Sequence, residues 1–181
     1  RGTPLLIIDR SGPKKTVLDQ SPNARDIHPG MRLDQALARC PQAKIFEADQ
    51  SAYRSAWDRI LDSLEQRSPI VEDADFGLAY IDLHGLDRLH GGEEHLLATI
   101  LDSIHVAYHP RVGVANGKFP AYTVALSAAD GRARRAPEHI GSFLRPLPVT
   151  LLPTSWEIKE RLESFGLHSL GDVATLSFNA M

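Results

Sequence analysis

Three carboxylates, Glu72, Asp73 and Asp75, crowd four positions just ahead of the strand-like stretch AYIDLHG. Oxygen donors at this density are what a hard divalent cation requires, because Mg2+ and its relatives accept only oxygen ligands at fixed geometry. One reading is therefore a metal site built from Glu72, Asp73 or Asp75. The other is a solvated approach to a strand, and it is preferred. The histidines add no metal centre. His84, His90, His95, His105 and His109 lack ligand spacing, and the i, i+4 pair His105/His109 is cut off by Pro110.

Near the C-terminus, FGLHSLGDVATL reads as a helix-hairpin-helix: a helix, a tight turn between two glycines, and a second helix. Glycines there let the backbone approach a DNA phosphate, and the second helix offers its N-terminal amides to the anion. Gly166, Leu167, Gly171 and Asp172 would form that contact, with Leu167 and Leu170 in the hairpin core. The alternative is a plain helical turn capped by glycine. GRARR at 131–135 is the densest basic run, either a phosphate contact or a solvated loop. Cys40 falls on the apolar face of a helix and is expected to be a small core residue.

These side chains need elements to hold them. LLIID and KTVLD read as strands around the turn 10–13, and 32–40 reads as a helix that ends at Pro41. AKIFEAD is a strand. Ser51 is the expected N-cap of a long helix carrying Tyr53, Trp57, Ile60, Leu61 and Leu64. Strand signals return at 77–84, followed by an amphipathic helix with Leu96, Leu97, Ile100, Leu101 and Ile104. RVGVAN is a short buried strand, and 119–129 is helical. The proline-rich stretch 131–153 reads as a connector before a helix at about 155–165 and another near Gly171. The order gives an α+β class with a palm-like mixed sheet and helices on one face. The subdomains are 1–50, 51–130, the connector 131–153, and a helical segment 154–181.

Composition bounds the class. Apolar residues make up 43% and charged residues 24% of 181, ordinary for a folded protein. No apolar run approaches the ~20 residues that span a bilayer. One cysteine excludes an internal disulfide framework, so a reducing cytoplasm is expected. Residues 51–109 carry 4 Lys/Arg against 11 Asp/Glu, whereas 1–50 and 110–181 each carry 8 against 6. Mildly basic flanks around an acidic centre are compatible with flanks that meet phosphate. The chain opens at Arg1 without Met and stops at Met181 inside an apparent helix, which reads as a fragment of something longer.

Four stretches in order carry a family resemblance: SPNARDIHPGMRLDQALARCPQAKIF, YIDLHG, VGVANGKFPAYTVALSA and LPVTLLP…LESFGLHSLGDVATLS. They resemble the fingers, palm and thumb of Y-family translesion DNA polymerases of the UmuC/DinB type, over nearly the whole chain. The family's palm strand reads approximately Ser-Ile-Asp-Glu-Ala-Tyr-Leu-Asp-Leu-Thr. Laid on Asp75 to His84, its catalytic Asp-Glu pair falls on Gly77 and Leu78, and neither can bind a metal. A shift of two residues reaches Asp75 beside Phe76. The adjacent pair Glu72-Asp73 needs a shift of five, which turns the side chains to the other face.

What else the resemblance implies follows residue by residue. The fingers Tyr and Arg that grip a triphosphate map to Pro22 and Arg25. The palm lysine maps approximately to Ala129, and the Asn-Lys pair to Gly117 and Lys118. Arg25 and Lys118 are thus the remnant of a nucleotide site, and the strand with the first metal-binding Asp would precede Arg1. LDRLHGGEEHLL is similar to a stretch of ImuB-type proteins, relatives without polymerase carboxylates. The resemblance implies a non-catalytic adapter in bacterial SOS and translesion repair. It would bind primer-template DNA and meet a sliding clamp, an error-prone replicative-type polymerase and a RecA-like accessory protein near the nucleoid. No cofactor is expected, and Mg2+ enters only if the protein is an active polymerase. A scaffold that does not bind DNA is the remaining alternative.

Overall fold

In the computed structural model, residues 2–10 and 12–176 are described; Ser11, inside the expected turn 10–13, and 177–181, the end of the expected helical segment, lie outside them. The chain divides into two compact units, one up to Arg54 and one from Ser55 onward.

In the first unit, Leu6 and Ile8 alternate along β1 (Leu5–Asp9) and are fully buried, as a half-covered strand requires. β1 is the central strand. It pairs antiparallel with β2 (Thr16–Gln20) and parallel with β3 (Lys44–Glu47). A bulge between Ile7 and Ile8 skips Leu18. The parallel return to β3 needs a crossover, which α1 (Leu33–Arg39) supplies. Its Ala36 joins Leu6, Val17, Ala24, Ile27, Met31 and Cys40 in one core. Cys40 is buried and free, as expected of a core residue.

α2 (Gln50–Glu65) begins in the first unit and ends in the second. Ser51 is not its cap. The Asp49 carboxylate accepts from the amide of Ala52 at 2.9 Å, because the N-cap must sit one residue before the first helical one.

The second unit contains a hairpin and a β-α-β motif. β4 (Val71–Asp75) and β5 (Leu78–Ile81) pair antiparallel, so the acidic approach is itself a strand, and the strand expected over 77–84 is shorter. α3 (Glu93–Asp102) follows, then β6 (Arg111–Val114), α4 (Lys118–Leu126) and β7 (Arg132–Arg135), with β6 and β7 parallel. Leu64, Leu86, Leu96 and Ile100 form the core, and side chains from β4, β5 and β6 pack on it. The expected single palm sheet is, among the described residues, two two-stranded sheets over that shared core.

The connector over 131–153 also needs correction. It holds β7, α5 (Ile140–Leu144) and a single 3-10 turn at Val149–Leu151. β7 escapes recognition because three of its four residues are arginine, which gives no apolar alternation. α6 (Trp156–Ser164) and α7 (Leu170–Thr175) close the described chain.

α4 rests directly on β6. A Cβ at Gly113 would lie 2.0 Å from the Ala121 carbonyl oxygen and 2.4 Å from the Ala125 nitrogen. Glycine is therefore obligatory for this backbone-to-backbone contact. Gly113→Ala is expected to lower the thermal midpoint by several degrees, since overpacking costs ~1–3 kcal/mol. Gly141→Ala, with open space at the new methyl and a helical backbone, leaves the midpoint unchanged or raises it. Equal midpoints for the two variants in a thermal melt would contradict the close packing.

Candidate functional site

Successive residues on a strand point to opposite faces, and this parity separates the hairpin carboxylates. Val71, Ala79 and Ile81 turn to the core. Asp73, on the Ala79 rung, has its carboxylate beside buried Trp57, whose indole Nε1–H donates to Asp73 Oδ1 at 2.7 Å. Glu72 stands opposite Tyr80 on the other face. There Lys118, the first residue of α4, pairs with Glu72 and places its ammonium 5.6 Å from the centre of the Tyr80 ring. Burial raises the Tyr80 hydroxyl pKa, with Tyr122 adding to the effect and Lys118 opposing it.

A bulge between Asp73 and Asp75 sets Asp75 opposite Leu78 instead of Gly77. The Asp75 carboxylate accepts from the amide of Phe76 at 2.8 Å, inside the turn. Asp82 accepts from the amide of His84 at 2.9 Å. Each acid thus has its own partner. Among the described residues, no three His, Cys, Asp or Glu side chains are placed to hold a metal ion. The fallback acids Glu72, Asp73 and Asp75 are not brought together: the first two leave on opposite faces, and the third serves its own turn.

The slots Gly77 and Leu78 form the turn and the first residue of β5. Gly77 has φ of +80°, a conformation L side chains rarely adopt, and its absent side chain offers no ligand. Leu78 is half-buried and apolar. The residues present do not fit a pair of divalent cations.

The two remnant cations differ. Arg25 is exposed in the loop between β2 and α1 of the first unit. Lys118 is committed to Glu72 in the second. Pro22 and Ala129 are exposed and carry no polar side-chain atom. The constellation Glu72–Tyr80–Lys118 was not foreseen. Its available signal was period 2 along β5, which sets Tyr80 on the face away from Ala79 and Ile81.

The amides of the C-terminal turn are engaged within the chain. Gly166, with φ of +80°, closes α6: its amide donates to Glu163 O at 2.9 Å, and that of Leu167 to Leu162 O at 3.1 Å. These bonds are the helix-terminating Schellman pattern. The Leu170 and Gly171 amides at the start of α7 donate to the carbonyls of Leu147 and Arg145, at 2.8 and 3.0 Å. Gly171 is needed for contact with that backbone, since a Cβ would lie 2.9 Å from Arg145 O. Asp172 accepts from the amides of His168 and Ser169 at 3.0 and 2.8 Å, while Ser169 Oγ accepts from Asp172 N at 3.1 Å. The amides meant for phosphate are taken, and a carboxylate stands among them. In this structure Gly166, Leu167, Gly171 and Asp172, expected to contact DNA, serve capping and packing.

Two of the three arginines in the basic run are likewise engaged. Arg135 pairs with Glu93, and Arg134 lies 5.6 Å from the Phe143 ring centre and donates to Ser127 O at 3.2 Å. An open cleft of about 370 Å³ between α3 and β7, floored by Leu97, Ala98 and Leu101, contains none of the hairpin acids.

The profile of the impB/mucB/samB family matches residues 1–125. The chain belongs to this family. Its UmuC/DinB-type Y-family fold is shared by solved structures: DinB from Sulfolobus solfataricus, at a TM-score of 0.71 and 23% identity, and an insertion ternary complex of Dbh DNA polymerase, at 0.66 and 21%. Both alignments cover 99% of this chain and 55% of the other. Among curated relatives, DNA polymerase IV of Dehalococcoides mccartyi strain CBDB1 is 29% identical over 154 residues, covering 83% of this chain and 40% of that protein. DNA polymerase IV of Caulobacter vibrioides is 30% identical over 149 residues, covering 80% and 37%. The chain therefore spans about two fifths of the length of the curated relatives it matches. No helix among the described residues is long and apolar enough to cross a membrane.

The capping bonds from Ser169 and His168 lower the Asp172 pKa below its ordinary 3.8. A depressed folded-state pKa stabilises α7 above the unfolded-state value, and that contribution is lost as pH falls through the lower folded value. A carboxyl NMR titration is expected to give Asp172 a midpoint below 3.8. A midpoint at or above it would remove the cap.

Proposed function

We propose that this chain is the fingers, palm and opening thumb segment of a non-catalytic, ImuB-type adapter in bacterial DNA-damage response and translesion synthesis. Residues 1–50 serve as fingers, 51–130 as palm and 154–181 as the start of the thumb. The observation that carries the reading is the β4–β5 turn. Where the resemblance expects the catalytic Asp-Glu pair, Gly77 adopts φ of +80° and Leu78 faces partly inward. The nearby acids are held by Lys118, Trp57 and the turn amide. On this reading the protein holds primer-template DNA through sequence-independent phosphate contacts. It recruits a sliding clamp, an error-prone replicative-type polymerase and a RecA-like accessory protein, in the cytoplasm at the nucleoid.

The competing reading is an active translesion polymerase, favoured by the name DNA polymerase IV that the relatives bear. It requires two cations about 3.5–4 Å apart, and these residues supply no shared ligands for them. Primer extension by the full-length protein with Mg2+ or Mn2+ and all four nucleotides separates the two. The adapter reading expects DNA binding, no extension and no metal-dependent nucleotide binding. Extension that disappears in Glu72→Gln or Asp75→Asn would overturn it.

A further inference from the structure

The α7 amides, Arg134, Arg135 and Lys118 are engaged internally, whereas a cluster of cations at one end of the first unit is only partly so. Residues 10–15 hold Arg10, Lys14 and Lys15 and no acid. The last rung of the β1–β2 hairpin is Asp9↔Thr16, so one step further sets Arg10 against Lys15. Like charges across a hairpin repel. Arg10 is relieved by an ion pair with Glu47. Arg32, brought alongside by the bridge Thr16↔Arg32, is gripped by both Asp34 oxygens at 3.0 and 2.8 Å. Lys14 and Lys15 are exposed and, among the described residues, have no ion pair or side-chain hydrogen bond. The fold pairs two of the four cations at this end and leaves Lys14 and Lys15, neighbours in sequence, exposed.

We infer that Lys14 and Lys15 form a contact surface for the phosphate backbone of a nucleic acid, on the β1–β2 hairpin and not on the C-terminal helices. Two adjacent ammonium groups attract a polyanion more strongly than an isolated charge does. Lysine is a point charge without the planar fork that reads guanine edges, so the contact positions the strand and reads no sequence. The inference rests on the proposal that the protein engages DNA, and it names the surface that does so.

The test is fluorescence anisotropy of a labelled primer-template with the full-length protein between 50 and 200 mM NaCl. Each phosphate contact contributes about 0.7–0.9 to the slope of log affinity against log salt. The double variant Lys14→Ala/Lys15→Ala is expected to lower that slope by about 1.4–1.8 with an unchanged thermal midpoint. Lys14→Arg/Lys15→Arg keeps the wild-type slope. A double-alanine slope equal to wild type, while wild type binds, overturns this surface and leaves the adapter reading standing. A wild-type protein with no salt-dependent binding overturns both the surface and the DNA-binding part of that reading.

Discussion

A backbone carbonyl can approach a strand to van der Waals distance only where the strand has no side chain, and Gly113 provides that place on β6. Because α4 rests there on its Ala121–Ala125 turn, its axis is fixed against the sheet. Its first residue, Lys118, is then held on the Glu72 side of the β4–β5 hairpin. The Glu72–Lys118 pair is exposed, and exposed pairs are worth little in stability. Its consequence is chemical: a carboxylate at the hairpin already faces a fixed cation, so a mobile one finds less negative potential there.

The same hairpin obeys a second constraint. A short link between antiparallel strands commonly needs a residue with positive φ, and Gly77 supplies it without strain. An aspartate in that conformation would be strained, and its carboxylate would meet no second acid, because β5 opens with Leu78. Turn geometry and loss of ligands therefore agree in one position. Below the turn, parity sends Glu72 and Asp73 apart, and Trp57 fixes Asp73 by filling its oxygen with an indole proton. Recovering a metal site would require undoing a turn, a part-buried hydrogen bond and an ion pair together.

Much of this fold was legible in the sequence because apolar periodicity is strong where a core lies on one side. Leu6/Ile8, the helix of Leu96 and Ile100, and RVGV all read correctly. β4 and β7 were read as an acidic approach and a connector because their residues are mostly charged. What makes them strands is pairing with β5 and β6, and a non-local hydrogen-bonded partner leaves no local pattern. The Ser51 cap failed by two residues because Asp49 competes for the same amides. At the site, the degenerate slots were legible by alignment alone, whereas Lys118–Glu72 depends on a contact across 46 residues and is invisible to spacing.

The glycines near the C-terminus show why residue type alone misassigns chemistry. Gly166 and Gly171 have the spacing of a phosphate-binding hairpin. Yet one ends a helix in the left-handed region, and the other makes room for the Arg145 carbonyl. An amide donates one strong hydrogen bond, so those of Leu170 and Gly171, once given to the 145–149 segment, are unavailable to an anion. α6 adds Glu157, Glu160 and Glu163 against Lys159 and Arg161, which gives a phosphate no net attraction. Affinity for a polyanion then falls to cations without internal partners, Lys14 and Lys15 among them.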